Sequence, residues 1–137
     1  MRVFLDANVL FSAAKSDGAV RELLRRLLAA GHECWVDDYV VEEARRNLNA
    51  KGTEALGAFD LLLPRLRMGA GQSPRPTPQD LDWLDEKDRP VLAAAMRPGC
   101  EALVTGDRTH FGVAYGKAFR GVTIHSPRSI AEALGIV

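Results

Sequence analysis

Four acidic residues, Asp6, Glu43, Asp88 and Asp107, stand at the ends of predicted elements and far apart in the chain. Asp6 closes the strand-like run Val3-Phe4-Leu5, and Asp107 follows a second such run, Ala102-Leu103-Val104-Thr105. In a parallel α/β sheet, ligands gather beyond the carboxyl ends of the strands, where strand order reverses. Carboxylates brought together there repel one another, and in a low-dielectric pocket one or more takes up a proton unless a cation is present. Oxygen donors of this kind suit Mg²⁺ or Mn²⁺, which keep positions open for water and substrate phosphate. Hydrolysis of a phosphodiester is the matching chemistry.

Each acid also has a local explanation. Asp6 and Asn8 follow a strand and could cap the next turn; Glu43 lies in Glu42-Glu43-Ala44-Arg45-Arg46, where a solvated helix face is the plain alternative. Asp88 precedes Arg89-Pro90 as a helix N-cap, and Gly106-Asp107 reads as a turn. Glu42 and Asp85 are the competing registers for Glu43 and Asp88.

The elements that must position these residues alternate. After the first strand, Asp17 is expected to cap a helix carrying Val20, Leu23, Leu24, Leu27 and Leu28 at helical spacing, ended by Gly31. Cys34-Trp35-Val36 reads as a strand, and Asp37-Asp38 caps a helix to about Leu48. A further helix covers Thr53 to Leu63 and stops at Pro64, followed by a possible short strand at Leu66-Arg67-Met68 and a glycine- and proline-rich loop from Met68 to Pro78. One helical turn is expected at Asp80 to Leu84, a helix from Asp88 to Met96, strands at Ala102 to Thr105 and Val122 to Ile124, and a last helix started by Ser126-Pro127 and stopped by Gly135. Alternating strands and helices predict an α/β fold with a central parallel sheet of about five strands flanked by helices, occupying residues 1–137 as one domain.

Composition is that of an ordinary globular chain: 137 residues, 47% hydrophobic, 26% charged, with eighteen basic side chains balancing eighteen acidic ones. Neutrality leaves no bulk charge to drive nucleic-acid binding, so any such binding must come from local groups. Cys34 and Cys100 have no metal-ligand spacing and read as reduced buried thiols. No apolar run reaches the ~18 residues of a membrane span, and Asp6 interrupts the first apolar stretch, so no membrane partner and a cytoplasmic location are expected.

Taken in order, Asp6-Ala7-Asn8, Val41-Glu42-Glu43-Ala44-Arg45-Arg46-Asn47-Leu48, Lys87-Asp88-Arg89-Pro90-Val91-Leu92-Ala93-Ala94-Ala95 and Thr105-Gly106-Asp107-Arg108-Thr109-His110-Phe111 resemble the successive motifs of PIN-domain ribonucleases, across essentially the whole chain. The resemblance implies a PIN-like fold and an endoribonuclease whose four acids, Asp6, Glu43, Asp88 and Asp107, hold Mg²⁺ or Mn²⁺. It gives Thr105 and Asn8 supporting roles, Asn8 by orienting Asp6. Small family members of this kind resemble VapC-like toxins of toxin–antitoxin pairs, which implies an RNA substrate, a cognate antitoxin protein and a homodimer. Arg108 and Arg46 are candidate contacts to RNA phosphates, with Arg45, Lys51 and Arg89 also flanking the acids. His110 reads as a packing or loop-anchoring histidine beside Phe111.

Three other functions compete. A haloacid-dehalogenase-type phosphatase needs a second aspartate where Asn8 stands. A phospho-receiver domain needs paired acids near Asp6 and a lysine near Ile124, and neither is there. A PIN fold that only binds RNA is the third alternative.

Overall fold

A computed structural model describes residues 1–70 and 81–136. Six strands form one sheet: β1 (Arg2–Leu5), β2 (Glu33–Val36), β3 (Arg67–Met68), β4 (Ala102–Val104), β5 (Ala118–Phe119) and β6 (Val122–His125), in the order β3-β2-β1-β4-β6-β5. All neighbours are parallel except β5 and β6. Short apolar runs suit such a sheet because helices cover both faces. Val3, Phe4, Leu5, Leu103 and Val104 are fully buried.

From β1 the chain builds outward through β2 and β3 on one side, and later through β4 and β6 on the other. Strand order therefore reverses between β1 and β4, and a crevice is expected beyond their carboxyl ends. The register pairs Leu5 with Val104, so the residues that follow each, Asp6 and Thr105, leave the sheet side by side. The backbone N–H of Asp6 still bonds to the Val104 carbonyl at 3.0 Å.

Seven helices flank the sheet among the described residues: α1 (Ala7–Lys15), α2 (Ala19–Ala29), α3 (Asp38–Lys51), α4 (Leu56–Leu62), α5 (Arg89–Met96), α6 (Arg108–Phe111) and α7 (Pro127–Ala133). Helix α1 packs against α2, α3 and α4, while α5 lies against α3 and β4. Asp37 caps α3 by accepting the Val40 N–H at 3.1 Å, and Ser126 caps α7 through the Ser129 N–H at 3.0 Å.

Several expectations change. The sheet has six strands rather than about five, the extra one being the two-residue antiparallel edge β5. Helix α1 was not foreseen: its apolar residues crowd directly against the first strand and blur the change of period. Gly18, not Asp17, is the N-cap of α2, and Asp17 instead pairs with Arg25 at 2.9 Å. The Thr53 to Leu63 helix is an α-helical segment between two 3-10 turns, and Pro64 sits inside the second, Leu63–Arg65. Most of the expected glycine- and proline-rich loop (71–78), with Asp80, falls outside the described residues. No described helix is long and apolar enough to cross a membrane.

Candidate metal centre

Asp6 lies buried just beyond the carboxyl end of β1, with 4% of its surface exposed. It caps α1: Oδ1 accepts the Ala7 N–H at 2.7 Å. That explanation covers only one of its oxygens. Oδ2 accepts the Thr105 hydroxyl at 2.8 Å and an amide proton of Asn8 at 3.3 Å. Thr105 Oγ1 in turn accepts from Asn8 Nδ2 at 3.3 Å and from the Asp107 backbone N–H at 3.1 Å. Asn8 Oδ1 takes the Gly106 N–H at 2.8 Å, and a side chain at position 106 would place its Cβ 3.3 Å from that oxygen. Asn8 and Thr105 thus join the end of β1 to the loop after β4, and fix the orientation of Asp6.

Asp88 precedes α5 but makes no side-chain cap bond, so its carboxyl is not explained by helix capping. Asp107 caps α6 through Oδ1, which accepts the His110 N–H at 3.1 Å. Its Oδ2 lies 2.9 Å from His110 Nδ1, and the same nitrogen is 2.6 Å from Asp88 Oδ2. Neither contact is aligned as a hydrogen bond, and Asp88 Oδ2 and His110 Nδ1 are buried atoms without hydrogen-bond partners. His110 Nε2 is 3.9 Å from Asp85 Oδ2. The packing role expected for His110 from its neighbour Phe111 is therefore incomplete, because its ring stands between two of the acids. The only signal for this in the sequence is its position three residues after Asp107.

Glu43 is half-buried on α3 whereas Glu42 is exposed, and Asp88 is buried whereas Asp85 is exposed. The charges of both Glu43 and Asp88 act on Asp6. The tight cluster nonetheless contains only Asp88, Asp107 and His110, with one donor atom from each within 4.8 Å of the others; Asp6 and Glu43 stand outside it. Two tyrosines not singled out in the sequence brace the same region. The Tyr39 hydroxyl donates to the Lys87 carbonyl at 2.8 Å, tying α3 to the residue before Asp88. Tyr115 donates to the Thr105 carbonyl at 2.8 Å.

Electrostatics follow from burial. Asp6 is pushed up to about 6 chiefly because burial penalises the ionised form; Thr105 and Ala7 oppose the rise, while Glu43 and Asp88 add to it. Burial also raises Asp88, with His110 opposing and Asp107 reinforcing. Carboxyls held above their usual range, beside buried polar atoms lacking partners, are the signature of a site that a cation would relieve. The oxygen-rich donor set fits Mg²⁺ or Mn²⁺.

Of the basic residues near the acids, Arg45 lies over Phe59 and pairs with Asp60 at 3.1 Å, and Arg89 donates to the Leu84 and Asp82 carbonyls. Lys51 lies over Phe11. Arg46 and Arg108 are exposed, and their charges reach Tyr39 and Tyr115 respectively.

The family model for the PIN domain matches residues 2–109, and the chain belongs to that family. The fold is shared with solved structures of low sequence identity. VapBC2 from Rickettsia felis, bound to a DNA fragment from their promoter, has a TM-score of 0.67 at 16% identity, covering 92% of this chain and 98% of the other. VapBC-1 from nontypeable Haemophilus influenzae gives 0.59 at 12% identity, covering 93% and 99%. Mycobacterium tuberculosis VapC20, a sarcin-ricin loop cleaving toxin, gives 0.57 at 15% identity, covering 85% and 98%. Among curated proteins none matches the sequence significantly.

Proposed function

We propose that this protein is a metal-dependent endoribonuclease that hydrolyses RNA phosphodiester bonds, acting as the toxin of a toxin–antitoxin pair. The observation that carries this reading is the set of buried or half-buried acids beyond β1, β4 and the start of α5, with Asp6 above its ordinary pKa. Asp6, Glu43, Asp88 and Asp107 are the residues that would hold Mg²⁺ or Mn²⁺. Such an ion supplies a nucleophilic water at neutral pH and charge stabilisation at the phosphate. Thr105 and Asn8 position Asp6 through the hydrogen bonds given above. Arg46 and Arg108 would contact RNA phosphates, and an open crevice of this kind suits single-stranded or looped RNA.

Membership of the PIN family supports nuclease chemistry, and the VapBC and VapC20 folds support the toxin role and an antitoxin partner. A homodimer belongs to the same proposal. Asn8 is bonded to Gly106, Asp6 and Thr105, which is a bracing role and not that of a phosphatase's second acid.

The test is RNA cleavage with Mg²⁺ or Mn²⁺. Wild type should cut; Asp6→Asn and Asp107→Asn should not, while keeping native circular dichroism. Full activity in excess EDTA rejects the metal mechanism. Metal-independent RNA binding without any cleavage favours a binding module.

A further inference from the structure

Asp88, Asp107 and His110 form the tightest group of metal-ligating side chains among the described residues. We propose that His110 binds the metal ion directly through Nδ1, and that this nitrogen donor biases the centre toward Mn²⁺ over Mg²⁺. The inference rests on the metal reading of the acid cluster, and not on RNA being the substrate.

Local structure aims the ring. Asp107 caps α6 by accepting the His110 N–H, so the residue three positions on folds back over its own cap. Nδ1 then lies 2.6 Å from Asp88 Oδ2 and 2.9 Å from Asp107 Oδ2. Adjacent ligands of an octahedral ion with bonds of about 2.1 Å are about 3.0 Å apart. Both separations fall slightly below that spacing, so a small outward movement of Nδ1 would bring it to the spacing of a ligand adjacent to each carboxylate.

The bonding pattern points the same way. A ring nitrogen this close to a buried carboxylate would ordinarily make an aligned hydrogen bond with it. Instead Nδ1 and Asp88 Oδ2 are both buried and unbonded. An ion seated beside these buried, partnerless atoms would satisfy them. The nearest acid to the other ring nitrogen is Asp85, at 3.9 Å. Metal-binding imidazoles commonly have a carboxylate on that side, which sets the tautomer and strengthens the donor. Asp85, a rival to Asp88 on sequence alone, acquires a separate role. Imidazole favours first-row transition ions over Mg²⁺, which prefers oxygen and water.

The experiment binds Mn²⁺ and Mg²⁺ separately to the whole chain, without RNA, and records electron spin-echo modulation of the Mn²⁺ complex. Wild type should show ¹⁴N modulation from a coordinated imidazole. His110→Ala and His110→Gln should abolish it and weaken Mn²⁺ binding about tenfold or more, on the scale of ligand-support losses. Mg²⁺ affinity should change by less than about threefold, since that ion gains little from nitrogen. Mn²⁺ bound to wild type without nitrogen coupling, or equal losses for both ions, overturns the role of His110 alone. Absence of Mn²⁺ binding overturns it together with the metal centre. Because the spectrum is read on wild type, an unstable variant does not shield the proposal.

Discussion

Replacing Asp6 by asparagine should make the metal-free protein more stable at neutral pH. The side chain is buried, and burial moves its pKa from 3.8 to about 6. That difference corresponds to about 3 kcal/mol against the folded state once the carboxyl is ionised. A folded-state pKa above the unfolded one means the folded protein holds its proton longer. The penalty is absent well below pH 3.8, reaches about 1 kcal/mol at pH 4.5, and is complete somewhat above pH 6. Asparagine keeps the acceptor for the Ala7 N–H but cannot accept the Thr105 hydroxyl as Oδ2 does, at a cost of about 1 kcal/mol. The net gain is about 2 kcal/mol at pH 8, or roughly 5 to 10 °C in Tm, and near zero at pH 4.5. Thermal unfolding in EDTA at the two pH values measures it. Mn²⁺ at a hundred times its Kd should add about 2.7 kcal/mol to wild type and little to the variant, reversing their order. A variant less stable than wild type at pH 8 in EDTA, or a gain equal at both pH values, refutes the reasoning.

Thr105→Val removes the donor to Asp6 and the acceptor for Asn8 and Asp107. It should destabilise by about 2 kcal/mol and raise the Asp6 pKa further, whereas Thr105→Ser should do much less; carboxyl-carbon NMR titration reads the pKa directly. Arg108→Ala and Arg46→Ala should each weaken RNA binding and lower the salt slope by about 0.7, and an unchanged slope removes that residue from the phosphate path. Cys34 and Cys100 are pushed up to about 12 by burial, so neither should react with Ellman's reagent at pH 8 until the protein unfolds. Leu103→Ala should cost about 2 to 5 kcal/mol in urea denaturation, because that fully buried side chain sits in the strand next to β1.

The alternation of Val3-Phe4-Leu5, Cys34-Trp35-Val36 and Ala102 to Val104 with helical periods made the parallel sheet legible, because buried strands are short apolar runs and surface helices carry stripes. Asp37 and Ser126 announced their helices for a local reason: the capping bond lies within three residues. What depends on distant partners was hidden. β5 is an edge strand of two residues, held in place by β6, and propensity cannot mark so short a piece. Asp88 looked like a cap and is not bonded as one. His110 looked like packing, yet its ring meets Asp88, twenty-two residues earlier, only because α5 and α6 begin beside each other at the same end of the sheet. Asp6 was legible as a cap, and that role occupies only one of its two oxygens, the other accepting the Thr105 hydroxyl.

The hydroxyl that holds Asp6 comes from a residue 99 positions later. Neither half of the polypeptide, made alone, contains all four acids. During synthesis the first strand and α1 are complete long before Asp88, Thr105 and Asp107 leave the ribosome, so a nascent chain carries the first acid without the others. The same dependence means that truncation before Thr105 removes the hydroxyl that holds Asp6 along with Asp107.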